Sequence, residues 1–191
     1  MKPVLRSELL DLGAYEQVRE HFRARVLQAK VPRRVALGPN MTVLFENHDS
    51  VLSQVQEMLR TERITNEKAI SFELETYNEL VPGDAEVSAT IFVEYPEREE
   101  RERMLVALAG VEDDFYLVAG GERCAVLADR RGTDPSRTMA VQYVKFPLGP
   151  AALTAMRAAR APVLLGVAHP AYTAEVELRA ETLASLRDDF D

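Results

Sequence analysis

Glu46, Asn47, His48 and Asp49 are consecutive, at the point where an apolar alternation gives way to a helical spacing. Carboxylates and imidazoles are common metal ligands. A helix start also offers unsatisfied N–H groups and a positive dipole end, which attract anions. The group therefore reads as a metal site using Glu46, His48 or Asp49, or as a seat for a small anionic ligand or nucleotide after Asn47. The structural alternative is that Asn47 or Asp49 caps the helix and the rest are solvated, which explains the same residue types without a ligand.

Three more residues join the candidates. Glu57 and Glu73 fall on consecutive predicted helices, and carboxylates meeting between antiparallel helices can hold iron or manganese. Di-iron centres of that kind use Glu-x-x-His pairs, and the chain has none. Salt bridges to Arg60 or Arg63 are the simpler account. His169 ends an apolar run and precedes Pro170, so it either faces a cleft or is a hydrogen-bonded core residue. The candidate ligand-binding set is thus Glu46, Asn47, His48, Asp49, Glu57, Glu73 and His169. No phosphate-binding loop, dinucleotide fingerprint, nucleophile elbow or His-Glu-x-x-His motif is present. The catalytic residues, metal and cofactor stay unspecified.

The elements that must position these residues follow from spacing. Tyr15, Val18, Phe22, Val26 and Ala29 predict an amphipathic helix over 15–29, after an interruption at Gly13, with His21 exposed. Pro32 ends it. Gly38-Pro39-Asn40 predicts a turn between two short strands. Val51, Leu52, Val55, Met58 and Leu59 predict the next helix, and Ile70, Leu74, Tyr77 and Val81 its antiparallel partner, starting at Thr65 and stopped by Pro82-Gly83. Val87, Ala89, Ile91, Val93 and Tyr95 share one strand face. Glu97 to Arg103 reads as a charged helix surface. Gly120-Gly121 predicts a hairpin, and 129–137 a mobile polar loop. A strand over 138–146, a helix from Pro150, a strand over 163–168, a short strand at Val176 and Leu178 and a terminal helix complete the chain.

The expected class is α+β: a mixed, mainly antiparallel sheet with helices packed on one side and a helical hairpin in the N-terminal part. A single domain over 1–191 is expected, with a helix-rich lobe to about residue 82 and a strand-rich lobe after it.

Composition limits the partners. The net charge is −8 over 191 residues, which repels a phosphate backbone and argues against nucleic acid. No apolar run is long enough to span a bilayer. Cys124 is the only cysteine, which suits a reducing cytoplasm.

Three stretches carry a resemblance: RRVALGPNMTVLFENHDSVLSQVQEMLRTERI, ELETYNELVPG and VSATIFVEY. Within them Phe45-Glu46-Asn47, Gln56-Glu57-Met58-Leu59 and Tyr77-Asn78-Glu79-Leu80 look like family motifs. The chain resembles, over nearly its whole length, an uncharacterised bacterial domain-of-unknown-function family of about this size. That family is similar in genomic setting to proteins encoded beside rubrerythrin-like di-iron proteins and iron–sulfur oxidoreductases. The resemblance implies a link to peroxide or oxygen stress and a redox-protein partner, and supplies no catalytic residue. The leading expectation is a cytoplasmic accessory or binding protein that forms a homo-oligomer, a dimer. The alternatives are a metal-dependent enzyme around 33–63 and an anionic-ligand binder after Asn47.

Overall fold

A computed structural model describes residues 1–129, 134–158 and 162–190. The chain opens with α1 (Leu12–Lys30), whose cap is Asp11: its carboxylate accepts the Ala14 N–H at 2.8 Å. That local cap carries the helix through Gly13, where an interruption is expected. Only Tyr15 and Val26 of α1 are buried, and Val18 is 42% exposed, so the predicted stripe is only partly covered.

β1 (Arg34–Ala36) and β2 (Met41–Phe45) form the hairpin around Gly38, with Val35 opposite Val43. α2 (His48–Thr61) and α3 (Glu67–Asn78) follow, capped by Asn47 and Asn66. Asn66 rather than Thr65 caps α3, accepting from the Lys68 and Ala69 N–H groups. The link is turned by Arg63, at φ 52.

β3 (Glu86–Val93) is the long central strand. α4 (Arg98–Ala107) carries Glu99 and Glu100 in its first turn, where the helix dipole favours acids. β4 (Phe115–Ala119) and β5 (Glu122–Ala125) turn at Gly120-Gly121, both at positive φ (58° and 78°), a backbone that glycine adopts without strain. Next come β6 (Leu127–Ala128), β7 (Val141–Pro147), α5 (Pro150–Ala158), β8 (Val163–His169), β9 (Tyr172–Glu177) and α6 (Ala180–Arg187). Residues 130–133 of the loop expected to be mobile lie outside the described residues. Asp134 and Arg137 form a bridge after them.

The class is α+β and every pairing is antiparallel. The strands divide between two sheets, ordered β1-β2-β3-β7-β6 and β5-β4-β8-β9. Their sequence pattern does not reveal this division, because alternation says which residues share a face and not which strand is the neighbour. β2 belongs to the expected helix-rich part and pairs along its length with β3 of the strand-rich part.

One apolar cluster joins the two sheets. Phe45, Ile91 and Phe146 come from the larger, and Phe115, Leu117 and Leu165 from the smaller. The other face of the larger sheet lies under α2 and α3. There Val51, Val55, Leu59, Ile70 and Leu80 form a second cluster, which Tyr143 of β7 joins. Burying each such aliphatic side chain is worth roughly 1.5–3 kcal/mol. Ser88, Thr90 and Lys145 lie on this helix-facing side, out of register with Ala89 and Ile91.

Candidate functional site

Glu46 is the first residue after β2, and it is 2% exposed. Its N–H donates to the Ser88 carbonyl at 2.9 Å, which extends the sheet by one residue. Its carboxylate accepts from Thr90 Oγ1 at 2.6 Å, Ser50 Oγ at 2.5 Å and Gln54 Nε2 at 3.0 Å. A buried carboxylate is tolerated when its oxygens are hydrogen-bonded in this way. Asn47 accepts the Ser50 N–H at 2.9 Å, and the Asn47 N–H donates to Ser50 Oγ at 2.9 Å. These are the reciprocal bonds of a capped helix start.

His48 and Asp49 come together at the same helix end. His48 Nδ1 lies 3.3 Å from Asp49, and its Nε2 lies 3.2 Å from Glu8. The His48 N–H donates to the Met1 sulfur at 3.0 Å.

Glu57 turns the other way, toward α1. Both carboxylate oxygens take Arg19, at 2.8 and 2.9 Å, and Tyr15 OH donates at 2.6 Å. The Arg19 fork, with Tyr15 adding to it, holds Glu57 down to about 2 against the opposing effect of burial. Burial, then Glu57 itself, pushes Tyr15 far up. Arg60 instead pairs with Glu16 at 2.6 Å, so neither Arg60 nor Arg63 is the partner of Glu57. The reason is packing: α1 lies against α2 and brings a better-placed guanidinium than the helix's own.

His169 is 9% exposed at the end of β8, in the smaller sheet. Its Nδ1 accepts the Ala171 N–H at 3.1 Å, and its Nε2 lies 3.3 Å from the Ala109 carbonyl. Both ring nitrogens thus face backbone groups of the fold. The seven candidates therefore separate. Glu46 to Asp49 sit at one helix start, Glu57 binds α1, Glu73 lies on α3 and His169 ends a strand of the other sheet. Among the described residues no three His, Cys, Asp or Glu side chains are grouped to hold a metal ion.

Glu73 leads to a cleft. Between the end of α3 and the helix-facing side of β7 lies a cavity of about 360 Å³, lined by Leu80, Ser88, Leu127, Tyr143 and Lys145. An adjoining cavity of about 370 Å³ shares Leu80, Asp129 and Tyr143 and adds Glu73, Thr76 and Tyr77. Volumes of this size suit small molecules. Ser88, 1% exposed, is one of the lining residues. Its Oγ has no hydrogen-bond partner in the protein, alone among buried side-chain polar atoms of the described residues. Lys145, opposite Ser88 in the sheet, donates to Glu86 at 2.5 Å. Burial, then the Glu46 and Asp129 charges, raises Tyr143. Burial, then Tyr143 and Glu73, raises Tyr77. Both phenols stay protonated at neutral pH, and neither donates a hydrogen bond among the described residues.

A family model described as "Protein of unknown function (DUF3501)" matches residues 3–190. The chain belongs to the DUF3501 family. The uncharacterised family that the three sequence stretches resemble is thereby borne out. A crystal structure of a protein of unknown function from Burkholderia pseudomallei K96243 is 34% identical, covers 100% of both chains and has a TM-score of 0.93. No curated protein matches.

Two features of this DUF3501 chain escape sequence reading. Arg33, 2% exposed, donates to the carbonyls of Phe45 (3.1 Å), Glu46 (3.3 Å) and Ser185 (3.0 Å) and pairs with both oxygens of Asp189. Burial pushes Asp189 up to about 7, and the Arg33 guanidinium opposes the rise. No local pattern marks this arginine, since its side-chain partners lie at the far end of the chain. The second is the Ser88 cleft, and here a signal exists. Ser88 and Thr90 put hydroxyls on the second face of a strand whose first face, Val87, Ala89, Ile91 and Val93, is wholly apolar. Thr90 spends its hydroxyl on Glu46. Ser88 does not: its hydroxyl has no hydrogen-bond partner among the described residues. A hydroxyl so placed can bind a ligand.

Proposed function

We propose that this DUF3501 protein is a cytoplasmic binding protein for a small molecule, which it holds in the cleft between α3 and β7. The observation that carries the reading is Ser88, which lines the cavity and whose buried Oγ has no partner among the described residues. A buried hydroxyl left unpaired costs about 1–3 kcal/mol, a cost that a ligand group bonded to it removes. Around it Leu80, Leu127 and Tyr143 supply the apolar wall typical of such sites. The candidates at the start of α2 have protein partners: Glu46 has three donors and Asn47 has its cap. Glu46 then acts on the cleft indirectly, as a buried charge beside Tyr143.

NMR titration of the full chain with phenol and 2-propanol tests this. Both are neutral, and each has one apolar part and one hydroxyl. The expected result is saturable shifts at the amides of Leu80, Ser88, Tyr143 and Lys145. Shifts confined to other parts of the molecule would overturn the reading.

A further inference from the structure

We infer that the ligand of this cleft is a small organic cation: an ammonium that sits between Glu73, Tyr77 and Tyr143, on a short body that reaches Ser88 with a hydrogen-bonding group. The inference rests on the binding reading above and adds the ligand's charge and shape.

Lys145 is the only lysine or arginine lining either cavity among the described residues. Its charge is spent on Glu86 at 2.5 Å, with the Val81 carbonyl at 3.4 Å. Glu73, by contrast, is half-buried in the cleft wall and makes no hydrogen bond or ion pair among the described residues. A carboxylate in that position favours a positive guest. Glu79 and Asp129 also line the cleft and have interactions of their own, so nothing here depends on them.

The aromatic groups point the same way. Tyr77 and Tyr143 share one cavity with Glu73, and each phenol is neutral at working pH. Neutral aromatic rings beside a carboxylate are the usual means of recognising ammonium groups, through the negative ring face. Among the described residues of the lining, an anion would find no unpaired lysine or arginine.

Size and the position of Ser88 fix the remainder. The two adjoining cavities, about 360 and 370 Å³, meet along Leu80, Asp129 and Tyr143. A ligand of a few carbons places its charged end at Glu73 and its other end at Ser88. That second end carries a hydroxyl or carbonyl, since the Ser88 hydroxyl can donate or accept.

The test is calorimetric titration of the full chain with choline, its neutral isostere 3,3-dimethyl-1-butanol, and acetate, at low and at physiological salt. The expected order is choline tightest, the isostere weaker by about tenfold, the loss expected when a cation–π and carboxylate contact disappears, and acetate without measurable binding. Glu73→Gln, on a partly exposed side chain that the fold does not use, should remove the preference for choline over the isostere. Equal binding of choline and isostere, or an unchanged preference in Glu73→Gln, would overturn the inference while leaving a neutral-ligand cleft intact. Failure of choline, together with absent phenol and 2-propanol shifts, would remove both.

Discussion

Arg33 and Asp189, 156 positions apart, form an ion pair with their side chains only 2% and 9% exposed. The pair ties the last helical turn to the strand pair that leads into Glu46. Through the Phe45 and Glu46 carbonyls, Arg33 also fixes the backbone from which Glu46 projects.

Asp189→Ala leaves this guanidinium buried without its counter-charge. Removing one partner of a buried pair costs about 3–5 kcal/mol. Urea denaturation should show that loss. A change below about 1 kcal/mol would mean that the carbonyls alone satisfy Arg33.

Glu46→Ala takes the acceptor from Gln54 and Thr90, while Ser50 Oγ keeps the Asn47 carbonyl at 2.9 Å. The expected destabilisation is about 3 kcal/mol, from the unpaired donors and the cavity together. Asn47→Ala should cost less, about 1 kcal/mol, as the loss of a helix cap. The ranking, read from denaturation midpoints, separates a buried network from a cap.

How much of this the sequence discloses depends on distance along the chain. The Asn47 cap and the Gly120-Gly121 hairpin are legible, because every atom involved lies within a few residues. The apolar face of β3 is legible from alternation. Glu57 is legible as a paired helix residue, but its partner is not. Arg60 is near in sequence, and Arg19 is near in space only because α1 packs on α2. The two-sheet division and the Arg33–Asp189 pair are set by long-range pairing that no local pattern encodes. The Ser88 cleft is half legible. A serine on the second face of a buried strand is visible, and its lack of a partner is not.

Glu57 predicts a pH dependence. Its folded value, about 2, lies below the 4.5 of a free glutamate, so its stabilisation is fully present above about pH 4.5 and is lost as pH falls through 2. The side chain is 28% exposed, so screening leaves an effect on the order of 1–2 kcal/mol. Stability of the wild type minus that of Glu57→Gln should shrink steadily between pH 4.5 and 2. A difference independent of pH over that window would contradict the Arg19 pairing.

Ser88 offers the most direct measurement of the central claim, made on Ser88→Ala with stability and probe binding read together. The account predicts stability equal to the wild type or higher by up to about 1 kcal/mol, because an unpaired buried hydroxyl is removed. It also predicts loss of the phenol and 2-propanol shifts at Leu80 and Tyr143. A fall in stability of about 2 kcal/mol or more, with those shifts intact, would show that the hydroxyl serves the fold and not a ligand.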